Sequence, residues 1–407
     1  MKSIYCHKHK VKIGRAARPH AAAILSVLVC AALNSLAAEY DVAAYVWPAY
    51  QGEPRWMELK IFAHGNGEWQ SVYEARPKRD GHYQPLVPYW GYEKDDDPKA
   101  VARQIDAALA AGVNVFVYDW YWYEGRPFLE NALNNGFLKA PNSERMKFSI
   151  MYANHNVNSR WDNKAAELGP TIWKSYIPLD EFKRLCDRWV SMYFTRPNYH
   201  KINGKCVFSF YQFYEYVKGV GGVANAKEGI EYLRNAVRKA GLGGLHLQLL
   251  WHSNDDPTEQ IKLYGFDSVS MYNWTSGNHF FSDEEMAALK RDGSVSYRKW
   301  ADAACASWDR FSNLSVPFYP TVSIGYDDNP RFPPQKWTEV MTPATPQEFE
   351  EYVRKAKSYV DANTPDGVQK VIYLNAWNEW TEGATLQPDE RYGYGYLNAL
   401  WRVFKQN

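Results

Sequence analysis

Short, nearly continuous apolar runs alternate along this chain with longer stretches whose apolar residues recur every three or four positions. The runs predict strands at 41–47, 113–118, 147–153, 206–211, 245–250, 267–272, 316–324 and 371–376. Runs of this kind, without polar alternation, belong to strands buried on both faces. The periodic stretches predict helices at 98–111, 127–138, 179–194, 227–240, 258–264, 297–311, 346–360 and 392–405. In the first helix Val101, Ile105 and Leu109 form the apolar stripe, Pro98 suits the opening turn and Gly112 ends it. Thr345 is placed to cap the helix that starts at Pro346. Strand and helix alternate with no sustained strand–turn–strand block, which argues for a parallel sheet. Eight such units predict an α/β fold, a single (β/α)8 TIM barrel. An open doubly wound sheet would need a glycine-rich phosphate turn after its first strand, and Trp47-Pro48-Ala49-Tyr50 stands there instead. Gly219-Val220-Gly221-Gly222 lacks the lysine of a phosphate loop and reads as a flexible loop.

Residues 1–38 stand outside this pattern. Lys2, Lys8, Lys10, Lys12, Arg15 and Arg18 precede an apolar run at 21–33, and Ser35-Leu36-Ala37 offers small residues for cleavage. This is the arrangement of a secretory signal peptide; the run is short of the ~20 residues that a spanning helix needs. The expected organisation is a signal peptide, 1–38, and a catalytic barrel, 39–407. The expected location is secreted, periplasmic or at the cell surface, with no membrane span after cleavage. The whole chain has 47 basic and 46 acidic side chains. Removing the six basic residues of the signal leaves 41 against 46, a net charge of −5, and such a balance excludes a nucleic-acid partner. Cys186, Cys206 and Cys305 are too widely spaced for a disulfide framework or a zinc pattern, which leaves one bridge or three buried thiols open. No HExxH motif or Cys/His cluster is present, so no metal or cofactor is expected. A monomer is expected.

Aromatic residues make up 16% of the chain and gather at the predicted strand ends, which core packing alone does not demand. In a barrel, residues just past each strand build the active site. Those positions hold Tyr45 and Trp47; Asp119, Trp120 and Trp122; Asn154 and His155; Tyr211; Trp251 and His252; Tyr272, Asn273 and Trp274; and Trp377, Asn378 and Trp380. Aromatic faces stack on the apolar faces of a pyranose, and amides and acids hydrogen-bond its hydroxyls. The set therefore predicts an oligo- or polysaccharide substrate. Glu379 and Glu382 follow the last strand between tryptophans and ahead of Gly383. Glycoside chemistry needs such a pair: one acid protonates the leaving oxygen and a second carboxylate assists the anomeric centre. The alternative is a strand exit whose glutamates are only solvated. Asp119 reads as a third acid or a buried structural one. His155 and His252 read as ligands, general acids or simple hydrogen-bonding groups. Asp95-Asp96-Asp97 reads as the acidic start of a helix.

The segment Asn378-Glu379-Trp380-Thr381-Glu382-Gly383, followed by Pro388-Asp389-Glu390-Arg391-Tyr392-Gly393, resembles the WbsX-like proteins, relatives of glycoside hydrolase family 99. Weaker matches are the stretch 112–122, Trp161-Asp162 and Tyr326-Asp327-Asp328-Asn329-Pro330-Arg331. The resemblance covers most of the chain after the signal. It implies a (β/α)8 barrel and a retaining, endo-acting hydrolase of α-mannosides that needs no metal. It also implies that Glu379 deprotonates the sugar 2-hydroxyl, which attacks the anomeric carbon, while Glu382 is the acid/base. On that reading Glu382 is the carboxyl expected to have a raised pKa, and Glu379 the one expected to be ionised. Thr381 stands where family 99 usually has histidine, and Asn154-His155-Asn156 departs from the Glu-Asn-Trp of WbsX, which leaves the substrate open. The name WbsX also implies a sugar transferase of surface-polysaccharide synthesis. The signal peptide and the missing nucleotide-binding turn favour the hydrolase. A non-catalytic glycan-binding barrel is the third reading, and retention of both glutamates speaks against it.

Overall fold

The computed structural model describes residues 39–406 apart from 159–163, 165–168, 254, 276–279, 292 and 339. The predicted signal peptide and the Trp161-Asp162 match lie outside the described residues. Eight parallel strand positions form a ring: β1 Tyr40–Val46, β2 Val115–Tyr123, β3 Lys147–Tyr152, β4 Lys205–Phe210, β5 Leu245–Leu250, β6 Ser268–Ser270, β7 and β8 Lys370–Asn375. β7 is split into Phe318–Tyr319 and Thr321–Ser323. Its first segment pairs with β6 and its second with β8, and β8 returns to β1 through Tyr40↔Lys370 to Ala44↔Leu374. The split falls at Pro320, which has no N–H for the ladder, although its carbonyl still accepts from Tyr373 N at 2.9 Å. The expected (β/α)8 barrel is present.

The principal outer helices are α1 Pro98–Ala111, α2 Leu179–Trp189, α3 Val223–Lys239, α4 Thr258–Tyr264, α5 Tyr297–Ser307, α6 Pro346–Asn363 and α7 Gly395–Phe404. Asp97 caps α1 by accepting from Lys99 N, and Thr345 and Glu348 form a reciprocal capping box on α6. The helix predicted at 127–138 is absent. β2 instead runs on to Tyr123 and turns at Glu124-Gly125, both at positive φ (53° and 74°), into an antiparallel strand Arg126–Phe128. Two left-handed residues in succession make the tight hairpin turn whose twist suits paired strands. Two short turns, Ala132–Gly136 and Phe137–Lys139, take up the rest. The stretch expected as a loop, 219–222, is a short turn between the helix Phe213–Gly219 and α3, which Gly222 opens. Cys186 and Cys206 are buried thiols and Cys305 is partly buried, all unbridged. Among the described residues no helix is long and apolar enough to cross a membrane.

Side chains alternate across each strand, so every strand feeds two cores. Phe116 and Tyr118 of β2, with Phe148 and Ile150 of β3, pack outward against the helices. Val115, Val117, Met151, Tyr45 and Tyr373 fill the barrel interior. That inner core continues upward into the excursion at 48–97, which brings Tyr50, Trp56, Phe62 and Trp69 over the C-terminal mouth. At the opposite end, buried Asp41 bonds His200 at 2.9 Å and Lys147 Nζ at 2.5 Å.

The excursion depends on a close backbone contact. Gly67 has φ +62°, and a Cβ there would lie 2.0 Å from Ala49 O and 2.5 Å from the Trp56 ring. Gly65 has φ +69° with nothing within 4 Å. Gly65→Ala is expected to cost only the left-handed backbone penalty, about 1–2 kcal/mol. Gly67→Ala adds a clash against backbone and is expected to cost at least about 3 kcal/mol more. Urea unfolding midpoints of the two variants check the difference.

Candidate active site

A cavity of about 580 Å³ opens at the C-terminal end of the barrel. Inward parity places Trp47 beyond β1, Asp119 and Tyr121 on β2, His155 beyond β3, Tyr211 beyond β4 and Tyr272 beyond β6 on its wall. Asn273, Glu379 and Glu382 complete the group of predicted residues that line it. The segment after β8 forms a small antiparallel pair, Asn378–Glu379 with Ala384–Thr385. The turn Trp380–Glu382 between them lets both glutamates face the same cavity.

Arg331, buried within the turn Asn329–Arg331, organises the charges. Its guanidinium pairs with Glu382 Oε1, lies 3.7 Å from Glu379 Oε1 and reaches Glu68 Oε1 at 3.3 Å. Glu68 is fully buried; its Oε2 also accepts from Trp47 Nε1 at 2.6 Å and Thr381 Oγ1 at 2.8 Å. Arg331 sits 5.4 Å from the centre of the Trp47 ring, within cation–π range. Thr381, which departs from the family 99 pattern, thus anchors the acid behind Arg331. Glu68 lies in an aromatic loop without periodicity, which hid it from the sequence reading. Arg331 stood in a matching segment but had no assigned role.

Tyr272 links two more acids: its hydroxyl lies 3.0 Å from Glu379 Oε2 and 3.2 Å from Asp119 Oδ2. One hydroxyl carries one proton, so it donates to one carboxylate at a time. Burial, followed by the Glu382 charge, pushes the Glu379 carboxyl well above its usual range, against the pull of Arg331. Burial also pushes Asp119 well up. Glu379, expected to be the ionised carboxylate, is thus held above the usual carboxyl range. Asp119 Oδ1 is buried without a hydrogen-bond partner among the described residues and faces the cavity wall. Tyr176, Asn158, Glu215 and Lys218 line the outer part. Among the described residues no group of three His, Cys, Asp or Glu is placed to hold a metal.

The other predicted residues do not line this cavity, and parity explains most of them. Trp120 and Trp122 are on the outward face of β2, with indole nitrogens donating to Glu130 at 3.0 Å and Glu181 at 2.7 Å. Asn154 is outward and clasps the backbone of Gln212 through both ends of its amide. Trp251 bonds Asp255 O, and Trp274 bonds Thr321 O at 2.8 Å beneath the helices. Tyr45 lies deeper, its ring 4.7 Å from that of Tyr272, which it supports from below. His252 donates to Tyr211 O at 2.7 Å and packs edge-on to that ring. Trp377 bonds Gln104, and Trp380 bonds Gln387 and packs on Trp69. Asn378 grips the N–H and C=O of Trp47, each at 2.9 Å, and donates to Asp95 at 2.9 Å. Asp97 of the acidic triplet caps α1 as expected, while Asp95 is buried, which raises its pKa to about 7.

The model of the glycosyltransferase WbsX family matches residues 43–400. The chain belongs to this family. A relative in Xanthomonas campestris pv. campestris, the uncharacterized protein WxcX, is 25% identical over 337 residues. That match covers 82% of this chain and 46% of WxcX, so this WbsX chain spans about half the length of the curated relatives it matches. Among solved structures the fold is similar to a glycoside hydrolase-like protein (TM-score 0.59, 14% identity, 91% of this chain and 95% of that one). It is also similar to the GH99 endo-alpha-mannosidase from Bacteroides thetaiotaomicron (TM-score 0.52, 15% identity, 89% and 96% covered). At these identities the likeness concerns the fold.

The raised acids set a sign for stability. Below the carboxyl range of an unfolded chain both states are protonated and nothing is lost. As pH rises, the unfolded chain ionises freely while the folded one must hold the protons on Asp119 and Glu379 or bury charge, so stability falls until their folded pKa values are passed. Glu379→Gln and Asp119→Asn are expected to raise the melting temperature, with a larger gain at about pH 8 than at about pH 4. Thermal unfolding across that range checks it.

Proposed function

We propose that this WbsX chain is a secreted glycoside hydrolase that cleaves an internal α-linked, mannose-like bond of an oligo- or polysaccharide with retention. The observation that carries the reading is the convergence of Glu379 and Glu382 on one guanidinium at the wall of a sugar-sized cavity. Its barrel is shared with the GH99 endo-alpha-mannosidase, which adds support at the level of fold.

Glu379 acts as the base. A base with a raised pKa is the stronger once ionised, which suits removal of a proton from a weakly acidic sugar hydroxyl. It takes the 2-hydroxyl proton; that oxygen forms a bond to the anomeric carbon as the glycosidic bond breaks and Glu382 protonates the leaving oxygen. Water then opens the 1,2-anhydro sugar: its oxygen bonds the anomeric carbon as the bond to O2 breaks, one of its protons passes to Glu382, and Glu379 returns to O2 the proton it took. For this, the ion pair between Arg331 and Glu382 has to give. As Arg331 leans toward Glu379 it favours that carboxylate in its ionised form, which frees Glu382 to carry the proton. Tyr272 orients Glu379 from the other side.

The transferase reading shares this machinery and differs in its acceptor. Basic side chains on the wall are Arg331, already committed to three carboxylates, Lys218 and His155, facing Asp119, Glu215, Glu379 and Glu382. This charge balance disfavours the diphosphate of an activated sugar donor and supports hydrolysis.

Screening bacterial, fungal and plant glycans should find released oligosaccharides; monosaccharide alone would contradict an internal cut, and turnover only with a nucleotide-sugar donor would give the transferase. On the substrate found, Glu379→Gln and Glu382→Gln should each lower turnover by about 10²–10⁴. A substrate with an activated leaving group should rescue the first step in Glu382→Gln and not in Glu379→Gln. Wild-type turnover in both variants would remove the assignment. In Tyr272→Phe, loss of a hydrogen bond that favours ionised Glu379 should move the acid limb of kcat/KM to higher pH. Export predicts a mature N-terminus near Ala38 or Glu39 by mass spectrometry, and recovery of an intact Met1 form from the cytoplasm would favour the transferase.

A further inference from the structure

A second cavity, of about 260 Å³, adjoins the first and shares the Tyr326 side chain with it. The two differ in charge. The first is lined by the four acids named above. Into the second come two guanidinium groups laid on aromatic rings: Arg79 lies 4.2 Å from the centre of Trp337, and Arg391 lies 4.6 Å from Tyr83 and 4.9 Å from Tyr392. Neither guanidinium makes a hydrogen bond or an ion pair among the described residues, although Arg391 exerts its charge on Asp389 and donates to it through its backbone N–H.

The acids of this cavity are Asp80, Asp327 and Asp389. Asp327 is already satisfied: Oδ2 accepts from His82 and Gln84, each at 2.8 Å, and Oδ1 accepts twice from Asn329. Asp389 accepts from Tyr392 N at 2.6 Å, and burial raises its pKa in spite of Arg391. Asp80 is exposed. Two planar cations therefore stand with unused N–H edges beside aromatic faces. Such edges match a carboxylate or phosphate in pairs, while ring faces suit a pyranose.

We propose that the second cavity is a subsite for an anionic sugar unit, one bearing a carboxylate or a phosphate, in the same glycan whose neighbouring unit enters the acidic cleft. This rests on the glycan reading above. The division of charge between the cavities fixes the register: an anionic unit is repelled from the carboxylates of the cleft and held by Arg79 and Arg391. The cavities are also joined through the backbone, since Asp327 N donates to Glu382 O at 2.6 Å and Gly383 lines the second cavity.

Calorimetric titration tests this on the full chain and on Arg79→Gln/Arg391→Gln, both surface changes outside the acid cluster. The probes are a galacturonic acid trisaccharide, its neutral methyl ester and mannose 6-phosphate. The acid trisaccharide or the phosphosugar should bind the wild type at least about tenfold more tightly than the ester, and the double variant should lose that preference while keeping its melting temperature. Preference for the acid alone names a carboxylate, and for the phosphosugar alone a phosphate. Equal affinity for acid and ester, an unchanged preference in the double variant, or no binding of either anion overturns the proposal. A parallel turnover assay separates the two readings. Loss of the anion preference together with Glu379- and Glu382-dependent cleavage of neutral glycans removes the subsite alone. Arginine-dependent anion binding without any glycan cleavage removes the hydrolase and leaves an anionic-sugar site.

Discussion

The candidate site depends on one buried cation. Arg331 faces Glu68, Glu379 and Glu382 at once, behind a wall that also holds Asp119. Burying several carboxylates in a low-dielectric interior is unfavourable unless each finds a partner or keeps its proton. One guanidinium cannot neutralise them all, so part of the cluster retains protons, and burial directs them to Glu379 and Asp119. The excursion at 48–97 exists in part to complete this arrangement: it supplies Glu68, and Gly67 lets the chain pass close enough to Ala49 to deliver it. Remove Arg331 and three acids lose a common partner at once. Chemistry and stability are therefore coupled through a single side chain.

Around this cluster the structure uses aromatic residues mainly as framework. Trp69 packs on Tyr50 and Trp380, Tyr45 supports Tyr272, and Trp120 packs on Trp189. Indole nitrogens tie these layers to acids and carbonyls, as at Trp47 with Glu68 and Trp122 with Glu181. A rigid wall keeps a carboxylate pair aligned while the cleft itself remains polar, which is the division of labour an acid/base site requires.

Much of the barrel could be read from the sequence because parallel strands buried on both faces leave long apolar runs, and helices leave their own period. The boundaries at 98–111, 245–250 and 258–264 agree with α1, β5 and α4. The helix expected at 127–138 did not form because Glu124-Gly125 closes a hairpin first, a two-residue signal inside an aromatic run. At the site, the strand-end residues were identified but their parity was not applied. Asp119 points inward and Trp120 outward; His155 lines the cleft and Asn154 clasps Gln212. A period of two, carried past each strand end, separates these pairs without any structure. It does not find Glu68 or Arg331, because both come from irregular segments whose position is set by tertiary packing.

The family name denotes a transferase while the proposed reaction is hydrolysis, yet both directions use an electron-poor anomeric carbon flanked by a base and an acid. What separates them is which group departs and which arrives. A donor with a diphosphate needs cations or backbone N–H groups at its departure point. A polysaccharide needs an acid there, and a path along which neutral and charged units can lie in order. In this chain four acids line the cleft, and Arg79 and Arg391 line the adjoining cavity. Charge that sits beside the reacting centre, and not on it, acts on the flanking units of a chain. That distribution fits an enzyme that recognises the surroundings of a bond inside a polymer better than one that recognises the head of an activated monosaccharide.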